Sequence, residues 1–121
     1  MRILVIEDDP AALNLLSRML EVEGHKSSAF VNPLLGIEAY LKERFDAVIT
    51  DIMMPVMNGL EVVQAIRDHD PTAKILVITG HADLEIANAA MTRGAYAFFV
   101  KPVESVRLLN ALKMLESENK S

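Results

Sequence analysis

The stretch AVITDIMMPVMNG, residues 47–59, decides how this chain is read. Ala47, Val48 and Ile49 form a short apolar run of strand-prone residues, closed by Thr50 and Asp51. A carboxylate therefore stands at the carboxyl end of a buried strand. Residues 52–57 are an apolar loop carrying Pro55, and Asn58-Gly59 punctuates the step into a helix. Taken alone, Asp51 and Asn58 are also explained as a core edge and a helix cap, because Asp and Asn are ordinary turn residues. Three other strand ends tip the reading toward function.

Working upstream, ILVI at residues 3–6 stops at Glu7-Asp8-Asp9. Pro10 suits a first helical turn with Asp9 as its N-cap. Leu13, Leu16, Leu20 and Val22 recur at helical spacing, with Met19 beside them, and Gly24 ends that helix. Residues 25–31 form a weaker, more polar strand, expected at a sheet edge. Asn32-Pro33 then opens a second helix through Leu34, Ile37, Tyr40 and Leu41. Downstream, Leu60, Val63 and Ile66 mark a third helix that ends near His69-Asp70-Pro71. Residues 74–78 are a further apolar strand, followed by Thr79-Gly80. Asp83 is the expected cap of a fourth helix over 84–93, which is Ala-rich, weakly apolar and expected to pack loosely; Gly94 closes it. A last strand over 96–100 ends at Lys101-Pro102. A final helix over 104–115 carries Leu108, Leu109, Leu112 and Leu115 along one side.

Five strands alternating with five helices, the strands continuously apolar, predict a parallel sheet covered on both faces. The fold class is α/β, flavodoxin-like (βα)5, with strand order 2-1-3-4-5. In open parallel sheets, ligand sites form outside the carboxyl ends of the strands. Four of those ends carry Glu7-Asp8, Asp51, Thr79 and Lys101, so these residues are expected to converge in one cleft.

With 121 residues the chain fits one domain with a sizeable core. Twelve basic against 17 acidic residues leave a formal net charge of -5, which argues against a nucleic-acid surface. Without cysteine there is no disulfide, thiolate metal site or cysteine nucleophile. No apolar run approaches the roughly 20 residues of a membrane span. The expectation is a cytoplasmic domain over residues 1–115, with 116–121 a polar tail or the start of a linker.

Three clustered carboxylates repel one another and require a cation, a shared proton or a basic partner. Oxygen donors without His or Cys suit a hard cation, Mg²⁺ (or Mn²⁺). The Thr79 hydroxyl and the Lys101 ammonium are what a phosphoryl group needs opposite them. Asp51 is then free to act as a nucleophile, since carboxylates do form aspartyl phosphates. Each residue alone has a plainer explanation as a turn, a cap or a surface charge. Their joint occurrence after four strands does not.

RILVIEDDP, AVITDIMMPVMNG, KILVITG and AYAFFVKP, in this order and spacing, resemble the receiver domain of two-component response regulators over essentially the whole chain. By that resemblance Asp51 is the phosphoacceptor. Glu7 and Asp8 are the acidic pair that holds Mg²⁺, with Glu in a place where many relatives have Asp. Met53 ligates the metal through its backbone carbonyl. Thr79 and Lys101 grip the phosphoryl group, and the Lys101-Pro102 bond is expected to be cis. Phe98 takes the aromatic switch position, where many relatives carry Tyr; plain core packing is its alternative. Met53 and His81 occupy variable positions that influence hydrolysis of the acyl phosphate.

The implied partner is a sensor histidine kinase or phosphotransfer protein. Residues 78–102 look most like receivers of nitrogen-regulation-type transcriptional activators, so an effector domain missing from this chain is expected, with a stand-alone receiver as the alternative. A homodimer through the fourth helix, fifth strand and fifth helix is a further expectation. So is a switch that catalyses only its own phosphotransfer and dephosphorylation. Competing classes fit less well. A haloacid-dehalogenase-type hydrolase would need a second Asp two residues after Asp51, where Met53 stands. A flavin-binding module would need a polar, glycine-rich loop where Glu7-Asp8-Asp9 stands. A degenerate receiver that acts only in protein interaction would not need the complete set of five polar residues.

Overall fold

A computed structural model describes residues 1–80 and 84–119, with the backbone alone for Leu84. The expected roles of Asp83 and His81 therefore lie outside the described residues. The elements alternate in order: β1 (Arg2–Ile6), α1 (Pro10–Val22), β2 (Lys26–Phe30), α2 (Pro33–Lys42), β3 (Ala47–Asp51), α3 (Gly59–His69), β4 (Ile75–Thr79), α4 (Leu84–Thr92), β5 (Ala97–Val100) and α5 (Ser105–Asn119). The strands pair in parallel in the order β2-β1-β3-β4-β5.

The sheet divides the core in two. One face packs Tyr40, Val62, Val63, Ile66 and Ala90 of α2, α3 and α4 against it. The other packs Leu13 and Leu20 of α1 with Leu108, Leu112 and Leu115 of α5. Covered on both sides, β3 and β4 are buried along their whole length, which is why their sequences do not alternate. β2 and β5 lie at the edges and are only partly buried.

Local chemistry fixes where the helices begin. Asp9 caps α1 by accepting from the Ala11 N–H at 3.1 Å, and Asn32 caps α2 through Leu34 N–H at 2.9 Å. Asn58 and Glu61 exchange side-chain-to-backbone bonds in a capping box at the start of α3. Three apolar positions expected to face the core do not. Val22 is 83% exposed, in the last residue of α1 before the Gly24 turn. Leu34 and Leu41 are exposed because α2 lies on the sheet through Pro33, Gly36 and Tyr40 instead. A Cβ on Gly36 would stand 2.7 Å from Ile6 Cδ1, so glycine lets this helix approach β1 and turns its leucines outward. α5 runs on to Asn119, taking the first part of the expected tail into the helix.

Candidate functional site

The strand register sets the polar row. Ile6 pairs with Thr50, Asp51 with Ile78, and Thr79 with Val100. Glu7 therefore stands level with Asp51, Thr79 one step beyond, and Lys101 one step beyond that. The chain leaving β5 is tied to β4 by Lys101 N–H donating to Thr79 O at 2.6 Å. The Lys101-Pro102 peptide is cis.

The apolar residues of the loop after Asp51 are divided between core and solvent. Ile52 and Met54 are buried, while Met53 and Val56 are exposed. Gly59 closes the loop with its N–H on Ile52 O at 2.8 Å. A Cβ there would lie 2.6 Å from Ile52 Cα and would also collide with Asp51 O. The glycine is required by its close approach to the backbone of Asp51 and Ile52.

Glu7, Asp51 and Thr79 are buried, and Asp8 is partly exposed. Carboxylate oxygens of Glu7, Asp8 and Asp51 lie within 4.8 Å of one another. Lys101 Nζ donates to Asp51 Oδ2 at 2.9 Å and to both oxygens of Glu7 at 3.0 Å. The second oxygen of Asp51 accepts the Met53 N–H at 3.2 Å, and Glu7 Oε1 accepts the Asp9 N–H at 3.3 Å. Burial and the hydrogen bond to Asp51 push the Glu7 carboxyl up to about 7, against the lowering effect of Lys101. Burial disfavours the Lys101 charge, but its bonds to Asp51 and Glu7 outweigh that and raise its pKa.

One ammonium faces three carboxylates, so the cluster suits a further positive charge. Its donors are all hard oxygens, which fits Mg²⁺. Glu7, Asp8 and Asp51 would each offer such an ion one oxygen.

Glu7, Asp8, Asp51 and Lys101 are thus brought together. Thr79 ends β4 beside them, fully buried. Phe98 and Phe99 face opposite sides of the sheet: Phe98 packs on the core that contains α4, Phe99 on the core that contains α1 and α5. Lys101 clamping Glu7 as well as Asp51 goes beyond the sequence reading, which gave Lys101 only a phosphoryl group. The signal was present: three carboxylates need counter-charge, and Lys101 is the cation at those strand ends.

Comparisons with known proteins agree with this fold. Residues 3–113 match the sequence model of the family described as the response regulator receiver domain. The chain is 32% identical to the C4-dicarboxylate transport transcriptional regulatory protein DctD of Pseudomonas aeruginosa, over 93% of this chain and 24% of that protein. It spans about a quarter of the length of the curated relatives it matches first. Among solved structures it resembles the Thermotoga maritima response regulator TrrA in complex with Mg²⁺-BeF, with a TM-score of 0.86 and 31% identity, covering 94% of this chain and 97% of that one. It also resembles the beryllofluoride-activated NtrC4 receiver domain dimer, with a TM-score of 0.91 and 29% identity, covering 97% of each chain.

Proposed function

This chain belongs to the response regulator receiver domain family, and on that premise we propose that Asp51 is the phosphoacceptor of a signalling switch. The observation that carries the reading is the Lys101 ammonium, 2.9 Å from Asp51 Oδ2 and 3.0 Å from Glu7, with Asp8 in the same oxygen cluster. Asp51 attacks the phosphorus of a phosphohistidine presented by a sensor histidine kinase or a phosphotransfer protein. The P–N bond breaks, its electron pair leaves with the imidazole, and that ring takes up a proton. Glu7, Asp8, Asp51 and the Met53 carbonyl would hold a Mg²⁺ (or Mn²⁺) ion, which supplies positive charge against the phosphoryl oxygens. Lys101 neutralises a second oxygen, and the Thr79 hydroxyl donates to a third.

The new charge at Asp51 biases a two-state equilibrium. Thr79 is drawn toward the phosphoryl group, Phe98 turns inward, and α4, β5 and α5 shift. The output is transcription, by analogy with relatives named as transcriptional regulators, through an effector outside residues 1–115. A homodimer through α4, β5 and α5 is the matching assembly, prompted by the NtrC4 receiver dimer. The switch works in the cytoplasm and turns over no substrate beyond its own phosphoryl group. Among the described residues, no helix is long and apolar enough to cross a membrane.

Intact mass after incubation with acetyl phosphate and Mg²⁺ tests the chemistry. The wild type is expected to gain one phosphoryl group, and Asp51→Ala or chelation of the metal to abolish the gain. Uptake by Asp51→Ala would overturn the assignment.

A further inference from the structure

An apolar cleft of about 440 Å³ lies between α1 and the chain that leaves β5. Leu15, Leu16 and Met19 line it from α1, and Val103 lines it from the segment after β5. It reaches the polar cluster at Lys101 and Glu7, which also line it. Lys101 is the residue whose ammonium rests on Asp51.

The spacing of α1 explains this lining. Leu13 and Leu20 are buried in the core shared with α5. Ala12, Leu15, Leu16 and Met19 recur at i, i+3, i+4 and i+7, which is one face of a helix. Leu16 and Met19 are partly buried against the core, while Leu15 is 73% exposed. α1 therefore carries an apolar edge beyond the stripe that the core uses. A single exposed leucine needs no explanation. An apolar face that ends on a buried ion pair does, and its volume falls within the roughly 300–1,000 Å³ of small-ligand pockets. Charge decides what suits it. The Lys101 side chain is one-third exposed, so an anionic head can approach the ammonium while a short apolar tail lies along α1.

We propose that this cleft holds the acyl chain of a short-chain acyl phosphate, which makes butyryl phosphate a better phosphoryl donor to Asp51 than acetyl phosphate. The inference rests on the acceptor role proposed above for Asp51. In-line displacement puts the leaving group on the side of the phosphorus away from Asp51. With the phosphoryl group on Asp51 and Lys101, whatever the leaving group carries lies outside the strand ends, where the cleft begins. An Asp51 oxygen bonds to phosphorus as the P–O bond to the acyl group breaks. The electron pair leaves with the acyl carboxylate, and no proton moves. One mixed anhydride replaces another, so the step needs no further reactant.

Rates of phosphoryl uptake test this, followed by intact mass with Mg²⁺ and subsaturating acetyl, propionyl or butyryl phosphate. The three leaving carboxylates are nearly equal in basicity, so chemistry alone predicts a flat series. A methylene half-buried in an open cleft is worth about twofold, so butyryl phosphate is expected to react about fourfold faster than acetyl phosphate. Leu15→Asn and Leu15→Ala replace an exposed side chain, and each should lower that ratio toward one, whatever its rate with acetyl phosphate. Val22→Asn, at the end of α1 and outside the cleft, should keep the wild-type ratio. A flat series in the wild type would overturn the inference and leave the cleft to an apolar side chain of a protein donor. A ratio that survives both Leu15 variants would also overturn it. Anions that cannot transfer separate the cleft from the chemistry. In amide NMR titrations butylphosphonate is expected to bind about eightfold tighter than methylphosphonate, with shifts at Leu15, Leu16 and Val103. Equal affinities would overturn the cleft. Absence of uptake from every donor would count against Asp51 as acceptor, while the phosphonates would still decide the cleft.

Discussion

Lys101 is the balancing charge of the cluster, one-third exposed beside two carboxylates that are almost fully buried. Lys101→Met leaves Glu7 and Asp51 facing each other unneutralised, and is expected to cost about 2 kcal/mol of stability, between an exposed and a buried pair. Denaturant unfolding in EDTA measures that loss, and added Mg²⁺ should recover part of it. No loss in EDTA would mean that the two acids already share a proton at neutral pH. Tyr40 and Asp70 allow a pH test away from the site. The Tyr40 hydroxyl, ahead of Thr72, lowers the Asp70 carboxyl below its usual 3.8. A depressed carboxylate contributes stability above its unfolded pKa and loses it as pH falls through the folded one. Tyr40→Phe is therefore expected to be less stable than wild type by a constant margin at neutral pH, with the margin closing below about pH 4. A margin that persists at pH 2 would assign the loss to packing instead. At Met53, a thioether offers no hydrogen bond to align a water, so the acyl phosphate is expected to decay slowly. Met53→Asn should shorten its half-life severalfold, followed by the loss of added mass over time; identical decay would rule the side chain out.

Among the elements, the β3–α3 junction is the least tolerant. Gly59→Ala would drive a methyl group into Ile52 Cα and the Asp51 carbonyl, a collision with backbone rather than with a movable side chain. An overpacked site of this kind costs about 1–3 kcal/mol, and here the strain falls directly on Asp51. The variant is expected to unfold at lower denaturant and to take up phosphoryl groups more slowly; normal uptake would show that the loop relaxes away from Asp51. Which parts of these elements could be read from sequence has a physical pattern. Strands buried on both faces write continuous apolar runs, so β1, β3 and β4 were legible, and so were the polar residues that end them. Asp9 and Asn58 were legible as turn or cap residues because capping is local chemistry. α2 was legible as a helix opening at Asn32-Pro33, but its buried face was not, because its contact with β1 is made by Gly36, and a helix that packs through a missing side chain leaves no clear apolar stripe. Arg67 was not, because its partners are carbonyls of Pro71 and Gly94, and carbonyls have no residue type.

For the molecule as a whole, the proposed cation site would be a ligand-linked contribution to stability. A cation that binds the folded acidic cluster and not the unfolded chain stabilises by about 2.7 kcal/mol at a hundredfold excess over its dissociation constant. The thermal midpoint is therefore expected to rise with Mg²⁺ and saturate, and Asp51→Ala should flatten the titration. A midpoint rising without saturation, equally in both proteins, would indicate general screening of a chain whose net charge is -5.

The crowding of Glu7, Asp8 and Asp51 around a single ammonium also bears on how such a chain would drift when selected for something else. Its most uncomfortable charges are those of the proposed site. Asp8→Asn or Asp51→Asn relieves repulsion, at no cost in packing volume. A screen that rewards survival of heat alone, with no divalent metal present, would enrich amide replacements at these positions ahead of improvements elsewhere. Sturdier descendants of this protein, bred blind to signalling, would be expected to fall silent first.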